Sequence, residues 1–143
     1  MLGDGPLRRA LLVELVHAGM DGRDRWGLLV VHADAAPAVT DAFGAAHEGG
    51  FPVERMELID VYGGDDDRSM AADNTSGFNC RFVGGTTRWS QHAFGTAIDV
   101  NPVENPYVRG ATVSPAAGRA YLDRSRYRKG MAVRGGVLER AFA

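Results

Sequence analysis

The chain has 143 residues, a hydrophobic fraction of 45% and a formal net charge of −2. This length is sufficient for one domain with a substantial core, so we predict a single domain over residues 1–143. The near-neutral charge and the lack of a basic run exclude the usual electrostatic basis for binding nucleic acid or an anionic membrane surface. Cys80 is the only cysteine, which excludes an internal disulfide and a thiolate zinc cluster.

The first elements of the chain are ambiguous by pattern. Leu11, Val13 and Leu15 share one face of a strand, but Leu11 and Leu15 with Leu7 fit a helical stripe equally well. We favour a β-hairpin whose second strand covers residues 28–32. The apolar run at residues 11–13 is interrupted by Glu14, so it is neither a convincing signal peptide nor long enough to span a bilayer. We therefore predict no membrane insertion.

A helix is predicted next, with Asp34 as its N-cap and Pro37 in its first turn. Gly49 and Gly50 are expected to end it. Its apolar face is formed by Val39, Ala42, Phe43 and Ala46. After the helix, residues 53–62 are rich in β-formers and predict a core strand, and residues 63–76 predict a polar loop. The aspartates of that loop, Asp65, Asp66 and Asp67, lack the alternating spacing of a calcium loop, so we expect a solvated acidic rim.

A short alternating strand is predicted at residues 78–83. Phe78, Cys80 and Phe82 point to one face, and Arg81 points to the other. If the first face packs inward, Cys80 is a small core residue and Arg81 lies on the polar side.

The remainder of the chain is expected to be mostly irregular. Three prolines disfavour regular structure over residues 101–118, and a short surface helix is predicted at residues 119–128. A final helix is predicted from residue 137. It reaches Ala143 without a glycine or a basic residue to meet its last carbonyls, so we expect that the sequence is truncated at the C-terminus.

The most informative stretch lies at residues 90–101. His92 and Asp99 are seven positions apart, on either side of a turn at Gly95. In the strand-like run after that turn, Ala97 and Asp99 share a face, and the small Ala97 leaves open space beside the carboxylate. His92 can fold back over this face, which would bring together an imidazole and a carboxylate, two groups that bind catalytic zinc. Spacing alone leaves open an alternative, a buried His–Asp hydrogen bond that organises the turn.

The same stretch also resembles a known signature. The run Ser90-Gln91-His92-Ala93-Phe94-Gly95-Thr96-Ala97-Ile98-Asp99 contains every fixed position of Ser-x-His-x-x-Gly-x-Ala-x-Asp. This pattern is similar to the first metal-binding motif of the zinc D-alanyl-D-alanine carboxypeptidases and dipeptidases, a family that includes enzymes that trim peptidoglycan stems and some phage endolysins. The resemblance extends from about residue 27 to 142 and includes residues 74–81 and 101–107.

The resemblance implies an α+β fold with a small, mainly antiparallel sheet flanked by helices, like the hedgehog/DD-peptidase fold. It implies Zn²⁺ held by His92 and Asp99, a peptidoglycan stem peptide as substrate, and work outside the cytoplasmic membrane. Arg81 follows Phe-Asn-Cys, as does a catalytic arginine of the family that stabilises an oxyanion, although a surface ion pair is the alternative. Ser90 is expected to bind substrate or, almost equally, to hold the loop.

One departure from the family pattern concerns the rest of the metal site. The resemblance implies a third ligand, a histidine, and an acidic general base a few positions before it, and no histidine follows Asp99 in this sequence. His17, His32 and His47 are weaker candidates because isolated histidines more often have structural or surface roles. The alternative to a zinc peptidase is therefore a non-catalytic module of the same fold that binds cell-wall peptide or metal.

Overall fold

The computed structural model describes residues 5–143. Two long strands, β1 (Ala10–Ala18) and β2 (Asp24–His32), form an antiparallel hairpin in which Ala10 lies opposite His32. The predicted hairpin is confirmed, and its second strand begins earlier than the sequence indicated. A second, smaller hairpin is formed by β3 (Tyr107–Arg109) and β4 (Thr112–Ser114), within the segment predicted to be irregular.

Within residues 5–143, three α-helices accompany the two sheets: α1 (Ala36–Glu48), α2 (Asp66–Ala71) and α3 (Val137–Ala141). Short 3₁₀ helices occur at Ala33–Ala35, Ile59–Tyr62, Gln91–Phe94 and Ala116–Tyr121. The predicted α+β class, with small antiparallel sheets and helices, is thereby confirmed. None of the helices in residues 5–143 combines the length and the apolar character that crossing a membrane requires.

The main core forms where α1 covers one face of the first hairpin. The predicted apolar face of α1 is buried, and it meets Leu15, Leu29 and Val31 from the strands. α3 closes the same core through Leu138, and the ring of Phe142 meets the ring of Phe43 edge-on at 5.4 Å. As expected, α1 ends just before Gly49. The Asp34 N-cap is wrong, because a 3₁₀ turn precedes α1 and the residue before α1 is Ala35, whose side chain cannot cap.

Residues 53–62 do not form the predicted core strand. Val53, Met56 and Ile59 are buried, and the backbone between them is held by isolated backbone hydrogen bonds and by side chains. The Oδ1 atom of Asn101 accepts a hydrogen bond from Glu54 N, and the Oδ1 atom of Asn74 accepts one from Glu57 N. The segment therefore contributes apolar side chains to the core without joining a sheet.

Two contacts attach the motif-bearing segments to β2. Phe78 N donates a hydrogen bond to Val30 O at 2.8 Å, and His32 N donates one to Gly95 O at 2.9 Å. Phe78 is buried against Val30 and Leu7 in a second, smaller apolar cluster. The edge of the first hairpin thus fixes both segments that carry the candidate site.

Candidate functional site

The turn that carries His92 is a 3₁₀ helix, Gln91–Phe94, followed by a left-handed glycine. Ser90 precedes the helix, and its Oγ accepts a hydrogen bond from His92 N at 3.2 Å. Gly95 has φ = +71°, which favours glycine because an added Cβ would crowd the backbone. The Ser-x-His-x-x-Gly pattern therefore encodes a capped helical turn with a glycine stop, and Ser90 occupies the loop-holding position.

Asp99 is fixed by pairing with the opposite segment. Its backbone forms an antiparallel bridge with Ser76, in which each N–H donates to the other residue's carbonyl at 3.0 Å. Gly77, the next residue on that segment, accepts a hydrogen bond from His92 Nδ1 at 2.8 Å. One short segment thus positions both the imidazole and the carboxylate.

The predicted pair converges. His92 Nε2 lies 3.2 Å from Asp99 Oδ2; the imidazole is mostly buried, while the carboxylate is 38% exposed. Because a carbonyl can only accept, Nδ1 of His92 must carry a proton, so in the neutral imidazole Nε2 is left with a free lone pair. A zinc ion about 2.0–2.1 Å from each of two atoms in tetrahedral geometry places them about 3.3 Å apart. The spacing of Nε2 and Oδ2 fits two ligands of one ion, and it also fits a direct hydrogen bond.

The electrostatics of His92 are dominated by its neighbours. Burial favours the neutral imidazole, but the Asp99 carboxylate and the Gly77 carbonyl outweigh burial and raise the pKa of His92 above its usual value. A metal ion must therefore displace a proton from Nε2 over part of the neutral range, and its affinity is expected to fall as pH falls.

The metal site is incomplete within the described part of the chain. No group of three His, Cys, Asp or Glu side chains among residues 5–143 is placed to hold a metal ion. The other histidines have different contacts. His17 is a buried residue of β1, His32 Nδ1 accepts a hydrogen bond from Asp34 N, and His47 Nε2 lies 2.9 Å from Asp24 Oδ1. His92 and Asp99 thus fit two of the three protein ligands that catalytic zinc generally takes.

Arg81 lies beside this pair, together with an aspartate that the sequence analysis assigned to a solvated rim. Arg81 Nε is 3.6 Å from Asp66 Oδ2, and Asn79 Nδ2 donates a hydrogen bond to Asp66 Oδ1 at 3.2 Å. Burial raises the pKa of Asp66 above its usual value; the positive charge of Arg81 opposes this shift, and the negative charge of Asp99 adds to it. Asp66, Asn79, Arg81, His92 and Asp99 therefore form one interacting cluster.

The position of Asp66 corrects the expectation of an acidic loop. The segment folds into the short helix α2, capped by the side chain of Asp65, and Asp66 in its first turn faces the site while Asp67 is exposed. Three consecutive aspartates look alike in the sequence, and no local signal separates the middle one from its neighbours. Only the packing of α2 beside residues 79–81 distinguishes it.

Two side chains of residues 78–83 do not face inward as predicted. Cys80 is exposed, so the prediction of a core cysteine is wrong. Phe82 is exposed as well, and its ring stacks on Trp89 at 4.5 Å. Of the three residues predicted to face inward, only Phe78 does so, because residues 78–83 do not form a regular alternating strand.

An apolar groove of about 490 Å³ lies on the opposite side of the motif. Thr96, Ile98 and Val100 line it, together with residues of α1 and α3. These are the residues that the sequence placed on the face away from Asp99, and neither His92 nor Asp99 borders the groove. The volume is therefore separate from the metal-ligand candidates.

Comparison with known proteins supports one assignment. No curated protein and no solved structure matches the chain. A family model described as D-alanyl-D-alanine carboxypeptidase does match, over residues 84–140, which include Ser90, His92 and Asp99. The resemblance inferred from the motif is thereby confirmed over residues 84–140, which match the D-alanyl-D-alanine carboxypeptidase family model.

Proposed function

We propose that this protein is a zinc-dependent peptidase of the D-alanyl-D-alanine carboxypeptidase type that acts on peptidoglycan stem peptides. The observation that carries the proposal is the convergence of His92 Nε2 and Asp99 Oδ2 at 3.2 Å inside the matched segment. Because peptidoglycan lies outside the cytoplasmic membrane, the protein is proposed to work there.

His92 and Asp99 are the residues that would hold the ion. Zinc, when bound, supplies Lewis-acid polarisation of the scissile carbonyl and activation of the attacking water. The hydrogen bond from His92 Nδ1 to Gly77 O keeps the imidazole in the tautomer that offers Nε2, as a carbonyl bound to the other ring nitrogen does for metal-binding histidines in general. The backbone bridge to Ser76 orients Asp99 without using its carboxylate.

Arg81 is assigned the stabilisation of negative charge on the substrate oxygen. A guanidinium keeps its charge in a partly buried site and offers several donors in a fixed plane. The side chain of Arg81 is 33% exposed, which leaves it accessible to a ligand beside the pair. Ser90 supports the turn through His92 N, and binding of substrate by its hydroxyl remains a prediction.

The test compares His92→Ala with His47→Ala. His47 is a partly exposed histidine on α1 that contacts Asp24, so its loss controls for the removal of an imidazole. We expect His92→Ala to weaken zinc binding by more than about 100-fold, since loss of a group that only hydrogen-bonds a metal ligand already costs about 10- to 100-fold. Zinc affinity is measured by calorimetric titration, and D-alanine release is measured with a peptide ending in D-Ala-D-Ala.

The two readouts separate the proposal from its alternative. Equal zinc affinity in the wild type and His92→Ala would remove the ligand assignment. Zinc binding by the wild type without D-alanine release would instead favour a non-catalytic module that binds cell-wall peptide or metal. That alternative is supported by the two-ligand site found in residues 5–143.

A further inference from the structure

Asp66 contacts the candidate catalytic arginine although it is not a metal ligand in this arrangement. Each oxygen of its carboxylate meets a side chain: Oδ1 accepts a hydrogen bond from the amide of Asn79, and Oδ2 lies 3.6 Å from Arg81 Nε. Asn79 is almost fully buried, and the Asp66 side chain is 22% exposed. The carboxylate is thus held on one oxygen by a fixed amide and offers the other oxygen to the guanidinium.

The Nε atom of Arg81 has the Asp66 carboxylate as its nearby acceptor. Its Nε atom is buried and has no hydrogen-bond partner within the described structure, and the carboxylate of Asp66 is the acidic group that lies within 4 Å. A buried N–H without an acceptor is costly, so a small movement that turns this contact into a hydrogen bond is favourable. Contact through Nε also leaves the two terminal nitrogens as the part of the guanidinium fork that a substrate oxygen can meet.

We propose that Asp66 is a positioning residue for Arg81: its carboxylate, oriented by Asn79, fixes the Nε edge so that the terminal nitrogens are presented to the substrate. This inference deepens the proposed function and rests on it only for the identity of the oxygen that Arg81 meets. The contact between Asp66 and Arg81 can be tested without metal or turnover.

The first test is spectroscopic and uses Asp66→Asn with Asp67→Asn as its matched control. Asp67 is the adjacent aspartate of α2 and is exposed, so the control removes the same charge from the same helix. The Nε–Hε signal of Arg81 in a ¹H–¹⁵N spectrum is assigned by its loss in Arg81→Lys. We expect Asp66→Asn to shift this signal and to speed its exchange with water, and Asp67→Asn to leave it as in the wild type. An unchanged signal in folded Asp66→Asn would overturn the proposal.

The second test is kinetic, with zinc-loaded protein and a peptide ending in D-Ala-D-Ala. Asp66→Asn is expected to lower kcat about tenfold, the low end of the effect of losing a bond to a charged group. KM should change little, because the oxygen that Arg81 stabilises carries its charge in the transition state. The double variant Asp66→Asn/Arg81→Lys should be no slower than Arg81→Lys alone, and additive losses would contradict positioning through Arg81.

Failure of the peptidase proposal would look different from failure of this inference. If the wild-type protein releases no D-alanine, the peptidase function is refuted, and the Arg81 signal alone decides whether Asp66 positions the guanidinium. If the wild type is active and Asp66→Asn matches it in both kcat and the Arg81 signal, the peptidase stands and the positioning role is refuted. Thermal unfolding of each variant verifies that it is folded.

Discussion

The close approach of Gly95 to β2 gives the sharpest prediction about the fold of the site. A Cβ atom added at Gly95 would lie 2.6 Å from His32 N and 3.1 Å from the carbonyl carbon of Val31. Both are backbone atoms of β2, so neither can rotate away as a side chain could. The carbonyl oxygen of Gly95 also accepts the hydrogen bond from His32 N that attaches the turn to the sheet. Gly95→Ala therefore strains the turn that carries His92.

The magnitude follows from comparison with Gly85, which has a similar φ of +75° but no atom of residues 5–143 within 4 Å of an added Cβ. Gly85→Ala should cost about 1 kcal/mol, from the left-handed conformation alone. Gly95→Ala adds overpacking against the strand, typically about 1–3 kcal/mol, so its total should be about 3 kcal/mol. For a chain of this size the difference between the variants corresponds to a fall in Tm of roughly 5 °C.

The assay is thermal unfolding of the two variants and the wild type, followed by zinc titration of each folded protein. We expect Gly95→Ala to lose more stability than Gly85→Ala and also to bind zinc more weakly, because the turn must move away from β2. Equal losses of stability in the two variants would refute the close approach as the reason for glycine at position 95.

Two further predictions concern buried polar groups. Burial raises the pKa of Glu104 to about 8, and the neighbouring Asp73 carboxylate adds to this rise. The folded state therefore retains a proton that the unfolded chain releases near pH 4.5. The stability that this difference contributes is lost as pH rises from about 4.5 to about 8. Glu104→Gln should flatten that loss in urea unfolding at pH 5, 7 and 9, and a slope equal to that of the wild type would contradict the assignment. Asn74 is fully buried, and its side chain bonds both Glu57 N and Glu57 O. Asn74→Ala should lower the free energy of unfolding by about 3 kcal/mol, and a loss below about 1 kcal/mol in urea titration would show that water replaces these bonds.

Local patterns were sufficient for the elements whose apolar residues repeat with a clear period. The alternation of Leu11, Val13 and Leu15 is compatible with the hairpin that the structure contains, although it fits a helical stripe equally well, and the apolar face of α1 is buried as predicted. The glycines after α1 also end it where expected. In each case the periodicity and the stop signal lie within one short segment, so no distant residue is needed to interpret them.

The segment at residues 53–62 shows where this reasoning fails. Its composition favours a strand, yet a strand needs a neighbour to pair its backbone, and here Asn74 and Asn101 supply much of that pairing from distant positions. Asn74 lies 17 residues from Glu57 and Asn101 lies 47 residues from Glu54 along the chain, beyond the reach of any local pattern. Composition identified the buried side chains but not the conformation of the backbone.

The candidate site divides in the same way. The sequence by itself indicated the turn at Gly95 and identified His92 and Asp99 as a candidate pair, because these residues lie within ten consecutive positions. Only the tertiary structure decided which aspartate of three joins Arg81, and that Gly77 O holds the imidazole. Those contacts arise from segments that meet only when α2 and residues 76–81 pack beside the motif, since distances between remote segments are set by the folded core and not by sequence spacing.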